Sequence, residues 1–334
     1  MPTLPFPAVT FSVLKLLSHQ EFKSGEEIAA ALDISRGTVW NAIRAAEQTG
    51  LAVHRSRGQG YRLVTRIDWL NHAAIEFALG RVRDCFHLKI VDCLNSTSTA
   101  LAEEAQRGAP SGSVFIAEWQ MHGRGRHARR WVSGIGEAAT FSLLWRFDEG
   151  PALLSGLSLA AGLAVARALE KLGVKGIALK WPNDLVWNHF KLAGILIELS
   201  GEALGPSVAL IGVGINVRLS EMSRAEIDQA ATDLLSACGA QLDRNRVIAG
   251  VLIELAEMLK AYAREGFAPL AAEWNRRHAY HGRTVQLSVR SAPSGDPVEG
   301  IVASVAADGA LILDTRNGAR RFYAGEISLR AKPA

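Results

Sequence analysis

The sequence predicts a three-block fold of mixed α and β content: a winged helix-turn-helix, a central sheet domain and a small β-barrel. Three observations predict it. Residues 1–64 carry three helical patterns and a hairpin, residues 81–278 alternate strand and helix signals, and residues 279–334 hold short strands and turns. A chain of 334 residues is long enough for each block to bury its own core.

In the first block an apolar helical pattern begins at Val13, Leu14, Leu16 and Leu17. SGEEIAAAL follows, with Ser24 and Glu27 at the capping-box spacing of a helix start. After a short DIS turn, SRGTVWNAIRAAEQTG carries the next helix. Ser35 suits its N-cap, Val39, Ile43 and Ala46 form one apolar stripe, and Gly50 suits the stop. LAVHRSRGQGYRL then reads as two strands around a tip at Arg57–Gln59. In a winged helix-turn-helix the helix after the turn enters the major groove. Ser35, Arg36, Gly37, Thr38, Asn41 and Arg44 on that helix are candidate DNA contacts, with Arg55 and Arg57 on the wing. Residues 34–64 hold five arginines against one acid, Glu47, a local positive excess that suits nucleic acid. Winged helices also serve as protein-interaction modules, so it is the agreement of helix, wing and charge that carries the DNA reading. Residues 65–80 read as a linker.

The central block, residues 81–278, opens with the strand-like HLKIVDCL and a helix begun by STSTALAEEAQRG. SVFIAEWQ is a strand running into the arginine loop GRGRHARRW, TFSLLWRF is another strand, and LLSGLSLAAGLAVARALEKLG is a long buried helix. IALKWPNDLVWNHFKLAGILIELS reads as two strands joined around Asn188–His189. SVALIGVGINV adds a strand, and two helices follow from about residue 224 to residue 275. The mixture fits an α/β or α+β sheet. In the last block, Asp308–Gly309 between alternating apolar runs signals a hairpin of the small barrel.

Composition excludes several classes. With 49% hydrophobic and 21% charged residues the chain is not disordered, and a net charge of +4 leaves any nucleic-acid role to local patches. Cys85, Cys93 and Cys238 are odd in number and lie outside metal-type spacing, which fits a reducing compartment. MPTLPFPAVTFSVLKLL lacks a basic n-region and a cleavage site, and PALLSGLSLAAGLAVA falls short of the about 20 residues of a bilayer span. No membrane role and a cytoplasmic location are expected.

Four segments of the central block bring chemistry to strand ends or loops. Asn95–Thr99 is a run of small polar side chains at a helix start, suited to a small polar ring; taken alone it also fits plain capping. The arginine loop follows Gln120: its glycines admit a ligand to the backbone, arginine binds phosphate bidentately, and Trp131 offers a stacking face. In KWPNDL, Pro182 enforces a turn that presents Asn183 and Asp184 to a ribose hydroxyl or a hydrated Mg²⁺. Lys191 stands before an apolar run as a point charge for an anion. GVGIN is a Gly-rich strand end without the GK[ST] of a P-loop ATPase. From residues alone, this is an anion- or nucleotide-binding enzyme domain behind a DNA-binding domain.

GRGRHARRW, KWPNDL, KLAGILIEL and GVGINV, in that order, resemble the motifs of the biotin–protein ligases. SGEEIAAALDISRGTVWNAI looks like the winged helix of the bifunctional kind that also represses the biotin operon, and GEISLR is similar to the end of the family's small domain. The resemblance implies an α+β fold: a winged helix-turn-helix (1–64), a linker (65–80), a class II synthetase-like mixed-sheet ligase domain (81–278) and an SH3-like barrel (279–334). It implies a ligase that joins biotin and MgATP into biotinyl-5′-adenylate, then passes biotin to a lysine of the biotin carboxyl carrier protein of acetyl-CoA carboxylase. By position, Ser96, Thr97, Gln120, Gly123, Arg124, Gly125 and Gly194 would hold biotin. Arg126 and Lys191 would place the carboxylate and α-phosphate. Arg129, Trp131, Asn183, Asp184 and Asn216 would serve the adenylate, with Asp184 counted beside Arg126 and Lys191 as catalytic. No dedicated metal ligands are implied; Mg²⁺ would arrive with ATP, near Asn183. Operator DNA and an adenylate-dependent homodimer are the implied partners beside the carrier protein. A ligase whose winged helix no longer binds DNA and a biotin-sensing transcription factor without catalysis are the alternatives. Lipoate ligation on a related fold is disfavoured by the arginine loop and KWPND.

The chain leaves the family pattern at one place. The loop usually runs GRGRRGR, and here His127 and Ala128 stand for Arg and Gly. Losing the glycine narrows the loop's backbone choices, so altered adenylate retention or an altered corepressor response, with intact ligation, is expected.

Overall fold

The computed structural model describes residues 9–202, 205–289, 297–323 and 327–331. Residues 1–8 of the N-terminal stretch, and Gly325 and Glu326 of GEISLR, lie outside them.

The first block folds as its caps direct. Helices α1 (Val9–Lys15), α2 (Gly25–Leu32) and α3 (Arg36–Gln48) precede a hairpin of β1 (Val53–Ser56) and β2 (Gly60–Leu63). Ser24 and Glu27 form the reciprocal capping box at α2, and Ser35 caps α3 through Thr38 N. Phe11, Leu14, Ile28, Val39 and Ile43 close a small core, which Ile135 of the central block also enters.

Residues 65–80 are not a free linker. They hold helix α4 (His72–Leu79), whose Ile75 and Leu79 join the central core. Just before it, Arg244 donates to Asp68 O, and Glu118 accepts from Leu70 N and pairs with Arg244. That buried pair leaves the segment little freedom to swing, because separating it would strand a charge in the interior.

The central domain contains β3 (His87–Leu94), α5 (Thr97–Gln106), β4 (Ser113–Gln120), the short pair β5 (Gly123–Arg124) and β6 (Arg130–Trp131), and β7 (Ala138–Phe147). Then come α6 (Leu157–Lys171), β8 (Ile177–Lys180), β9 (Asp184–Trp187), β10 (Phe190–Gly201) and β11 (Ser207–Asn216). The main sheet has seven strands in the order β3-β4-β7-β11-β10-β9-β8, parallel at β3–β4 and antiparallel elsewhere. IALKWPNDLVWNHFKLAGILIELS therefore makes three strands rather than two. Pro182 has no amide to continue a ladder, so the chain turns there as well as at Asn188–His189. Both of those last residues have positive φ, as a two-residue hairpin turn requires.

Four helices, not two, follow the sheet: α7 (Glu221–Glu226), α8 (Leu234–Cys238), α9 (Arg244–Glu265) and α10 (Ala271–Arg276). Caps at Asp233 and Asp243 and the left-handed Gly239 punctuate what reads as continuous helix. The last block is a five-stranded antiparallel sheet, β15-β14-β13-β12-β16, formed by β12 (Thr284–Val289), β13 (Val298–Val305), β14 (Leu311–Thr315), β15 (Gly318–Phe322) and β16 (Ile327–Ala331). Its Asp308–Gly309 turn docks on the central domain, where Trp181 Nε1 donates to Gly309 O at 3.1 Å. The three cysteines are unpaired thiols, and burial beside Asp92 pushes Cys93 up to about 11.

Candidate functional site

A cavity of about 370 Å³ lies over β7, β10 and β11, a size that suits a small ligand. The start of α5, the arginine loop, the KWPND turn and the segment after α7 wall it in. Of the expected ligand contacts, Ser96, Thr97, Gln120, Arg124, Gly125 and Arg126 line it from one side. Arg129, Trp131, Asn183, Asp184, Lys191, Gly194 and Asn216 line it from the others. Gly123 does not. It lies opposite Trp131 in the β5–β6 pair, where a Cβ would stand 2.6 Å from Trp131 O, so its lack of a side chain lets the two arms of the loop meet.

One end of the cavity is neutral and rich in hydroxyls. Ser96 caps α5 by accepting from Thr99 N, which aims the first turn of that helix inward. Thr97 N donates to Gln120 Oε1 at 2.7 Å, and Thr97 Oγ1 reaches the same oxygen at 3.1 Å. Behind them Ser142 Oγ lies 2.8 Å from Thr97 Oγ1 and 2.9 Å from Ser98 Oγ.

The other end is charged. Arg126 donates to Asn183 Oδ1 at 3.3 Å, and Asn183 Nδ2 in turn donates to Ile195 O at 2.8 Å. Burial lowers the Arg126 pKa, the field of Asp184 opposes that shift, and the nearby Arg129 adds to it. Lys191 Nζ is 2.8 Å from Asp184 Oδ1 in a half-buried ion pair, at an angle that leaves this oxygen without a formed hydrogen bond. A β-bulge puts Lys191 there. Its register shift between Lys191 and Ala193 brings Lys191 onto the face of Gly194, which regular alternation would deny it.

Trp131 lies on the sheet between the two ends. A Cβ on Gly214 would be 2.6 Å from its indole, one on Gly194 3.4 Å, and Lys191 Nζ sits 6.0 Å from the ring centre. Gly194 and Gly214 face each other across β10 and β11, so the indole rests on a floor that only glycines leave flat. Trp131 Nε1 and Asn216 Oδ1 are buried without hydrogen-bond partners among the described residues, which leaves one donor and one acceptor for a ligand. At the loop's bend His127 and Ala128 adopt φ of 56° and 58°, the left-handed region that glycine occupies freely.

Four further lining residues, Ser98, Lys180, Gly212 and Gly214, lie within the singled-out motifs, and the Glu226–Gln229 segment lies outside them. GVGIN signals the two glycines, since small residues at alternate positions share one face of a strand. The 226–229 segment carries no such signal. It reaches the cavity because Lys191 N and O bond Ala230 O and Thr232 N.

The expected DNA contacts gather on one exposed side of the first block. Arg36, Gly37, Asn41 and Arg44 are exposed on α3, and Arg57 sits at the wing tip. Arg36 donates to Glu26 at 2.8 Å and Arg55 pairs with Glu47, so both already hold an acid. Ser35 and Thr38 are engaged in the cap, their hydroxyls 2.9 Å apart. Trp40, 41% exposed with Arg44 stacked 5.1 Å over its ring, belongs to the same face. The spacing Arg36–Trp40–Arg44 signals it, since i and i+4 share a helix face.

No group of three or more His, Cys, Asp or Glu among the described residues is placed to hold a metal, and no helix among them is long and apolar enough to cross a membrane. One carboxylate beside one amide, Asp184 and Asn183, fits a hydrated ion carried by a phosphate chain rather than a dedicated cage.

Residues 10–62 match the helix-turn-helix family, residues 90–216 the biotin/lipoate A/B protein ligase family, and residues 281–330 the biotin protein ligase C-terminal domain. The chain is 35% identical to the bifunctional ligase/repressor BirA of Escherichia coli, over 97% of this chain and 98% of that one. It is 36% identical to the biotin–[acetyl-CoA-carboxylase] ligase of Mycobacterium tuberculosis, over 72% of this chain and 88% of that one. The biotin protein ligase of Aquifex aeolicus, solved in complex with biotin and ATP, superposes with a TM-score of 0.63 at 29% identity, covering 74% of this chain and 99% of that one.

Proposed function

The chain belongs to the biotin–protein ligase family, among its bifunctional ligase/repressors, and from that premise we infer what it does. It is an ATP-dependent biotin–protein ligase that forms biotinyl-5′-AMP and transfers biotin to a lysine of the biotin carboxyl carrier protein. It is also a biotin-dependent repressor acting through its winged helix. One observation carries the enzymatic half: a single cavity joins a neutral hydroxyl-and-amide end to an end holding Arg126 and Lys191.

Ser96, Thr97 and Gln120, with the backbone of Arg124, hold the ring system of biotin, and Gly125 and Gly194 let the chain approach it. The biotin carboxylate, already ionised at pH 7, attacks the α-phosphate of ATP without a general base. Pyrophosphate leaves. Two anions meet in this step, and Arg126 and Lys191 offset their repulsion where bulk water is reduced. Trp131 packs against the nucleotide, Arg129 orders the loop, and Asn183, Asp184 and Asn216 position the phosphate and ribose. Asn183 and Asp184 would hold the Mg²⁺ that arrives with ATP, and the ion would supply neutralising charge on the phosphates. In the second step the acceptor amine attacks the biotinyl carbonyl, a C–N bond forms as the C–O bond to the phosphate breaks, the nitrogen gives up a proton to solvent, and AMP leaves with the bridging oxygen that came from the biotin carboxylate.

Adenylate binding orders the loops and favours a homodimer that presents two winged helices to a two-fold operator. An open strand edge supports this reading: beyond Ile195, β10 pairs with β11 on one side and meets no strand on the other among the described residues. Adenylate, carrier protein and operator meet in the cytoplasm, and the three free thiols suit it.

The test is incubation with MgATP, biotin and a carrier domain, read as biotinylated lysine. Biotin bound without product would overturn the ligase reading and leave a biotin-sensing transcription factor.

A further inference from the structure

Behind the lining of the neutral end sits a residue with no ligand contact of its own. Ser142 lies on β7, in register with Gly212 of β11 and Phe115 of β4, and has no solvent exposure. A lone serine at the centre of a sheet is usually satisfied by a backbone carbonyl. This one instead touches two other hydroxyls, those of Thr97 and Ser98.

The direction of these hydrogen bonds follows from chemistry. A backbone N–H only donates, so the atom 2.7 Å from Thr97 N is the carbonyl oxygen of the Gln120 amide. An amide oxygen only accepts, so Thr97 Oγ1, 3.1 Å from it, spends its proton there. With that proton committed, Thr97 Oγ1 is an acceptor toward Ser142, which donates across 2.8 Å. Ser142 then has only lone pairs left for Ser98, which donates across 2.9 Å. The result is a one-way chain, Ser98 to Ser142 to Thr97 to Gln120. Gly212 makes room for it, since a Cβ there would stand 2.9 Å from Ser98 Oγ.

The chain determines what the cavity offers. Ser98, its proton turned inward, presents lone pairs. Gln120, its oxygen occupied twice, brings its amide N–H groups. A cyclic urea has two N–H donors and one carbonyl acceptor and matches that arrangement; a guanidine-like ring, protonated at neutral pH, carries N–H donors where the urea has its carbonyl oxygen and would set them against the Gln120 N–H groups. We propose that Ser142 is a positioning residue that orients the Thr97, Ser98 and Gln120 hydrogen bonds, and so makes the site selective for the urea ring of biotin over imino analogues. The inference rests on the ligase reading above.

The test compares wild type with Ser142→Ala in steady-state adenylation of biotin, desthiobiotin and 2-iminobiotin. Ser142→Ala removes one buried oxygen and adds no bulk, so a thermal melt near that of wild type is expected. The KM for biotin and for desthiobiotin, which share the urea, should rise about tenfold together. The KM for ATP and kcat should stay within about twofold, and discrimination against 2-iminobiotin should shrink, because the Gln120 amide, no longer fixed through the Thr97 hydroxyl, can turn its oxygen toward the N–H groups of the imino ring. A biotin KM within about twofold of wild type, equal rises for biotin and ATP, or unchanged discrimination against 2-iminobiotin would overturn the proposal. Failure of the wild type to adenylate biotin would instead overturn the ligase reading itself, so the two failures are distinguishable.

Discussion

Two arginine-rich regions divide the work of this protein, and they hold their charge differently. On the winged helix, Arg36 and Arg44 are exposed on α3, and Arg36 and Arg55 hold acids at the surface. Such charges are screened by salt and are worth little until a polyanion displaces their partners. In the loop after β4, Arg126 is half-buried, its pKa lowered by desolvation, and it is oriented by Asn183. A guanidinium already partly desolvated and aimed costs less reorganisation when a phosphate arrives. On the proposed function, the same residue type thus gives a salt-sensitive, adaptable surface in one region and a preorganised anion site in the other. The difference lies in burial and neighbours, not in the number of arginines.

The contrast can be broken at several points. The largest effect is expected for Arg126→Ala: adenylate formation in a single turnover should fall by about 10²- to 10³-fold, with the thermal melt little changed. A Gly214→Ala variant should come next. Its Cβ would stand 2.6 Å from the indole, so Trp131 must lift off the floor, and kcat/KM for ATP should drop by about one to two orders of magnitude. On the other region, Arg44→Ala should weaken binding to duplex DNA by about tenfold and reduce the salt slope by about one, with carrier biotinylation unchanged. Fluorescence anisotropy across a salt series reads both. The smallest effect is expected for Ala128→Gly. Ala128 sits at φ 58°, where alanine is strained by about 1 kcal/mol relative to glycine, so relieving the strain should slow adenylate release about fivefold. Release no slower than wild type would remove the role given to this departure from the family pattern.

Much of this division was legible in the sequence, for identifiable reasons. Capping residues mark their own positions, so Ser24, Ser35 and Ser96 delimit their helices. The arginine loop, KWPND and GVGIN each carry a local constraint on backbone or charge, and the residues expected from them, Gly123 apart, line one cavity. What was not legible depends on partners distant in sequence. Residues 65–80 read as a linker because the Arg244 and Glu118 groups that clasp them lie far along the chain. Ser142 sits in an ordinary strand pattern, and only the register with Gly212 and the approach of α5 bring it to Thr97 and Ser98. Trp40 differs, because its i, i+4 spacing with Arg36 and Arg44 already places it outward. The bulge at Lys191 is invisible in sequence because it depends on pairing with β9.

The central claim is that the half-buried, oriented arginine of the loop, Arg126, serves adenylation. Biotin-dependent exchange of pyrophosphate into ATP, without any carrier protein, measures that step alone. The account predicts exchange by wild type and its loss, by about 10²-fold or more, in Arg126→Ala. Exchange in Arg126→Ala within a few-fold of wild type would contradict it and return the loop to a solvated run of charge.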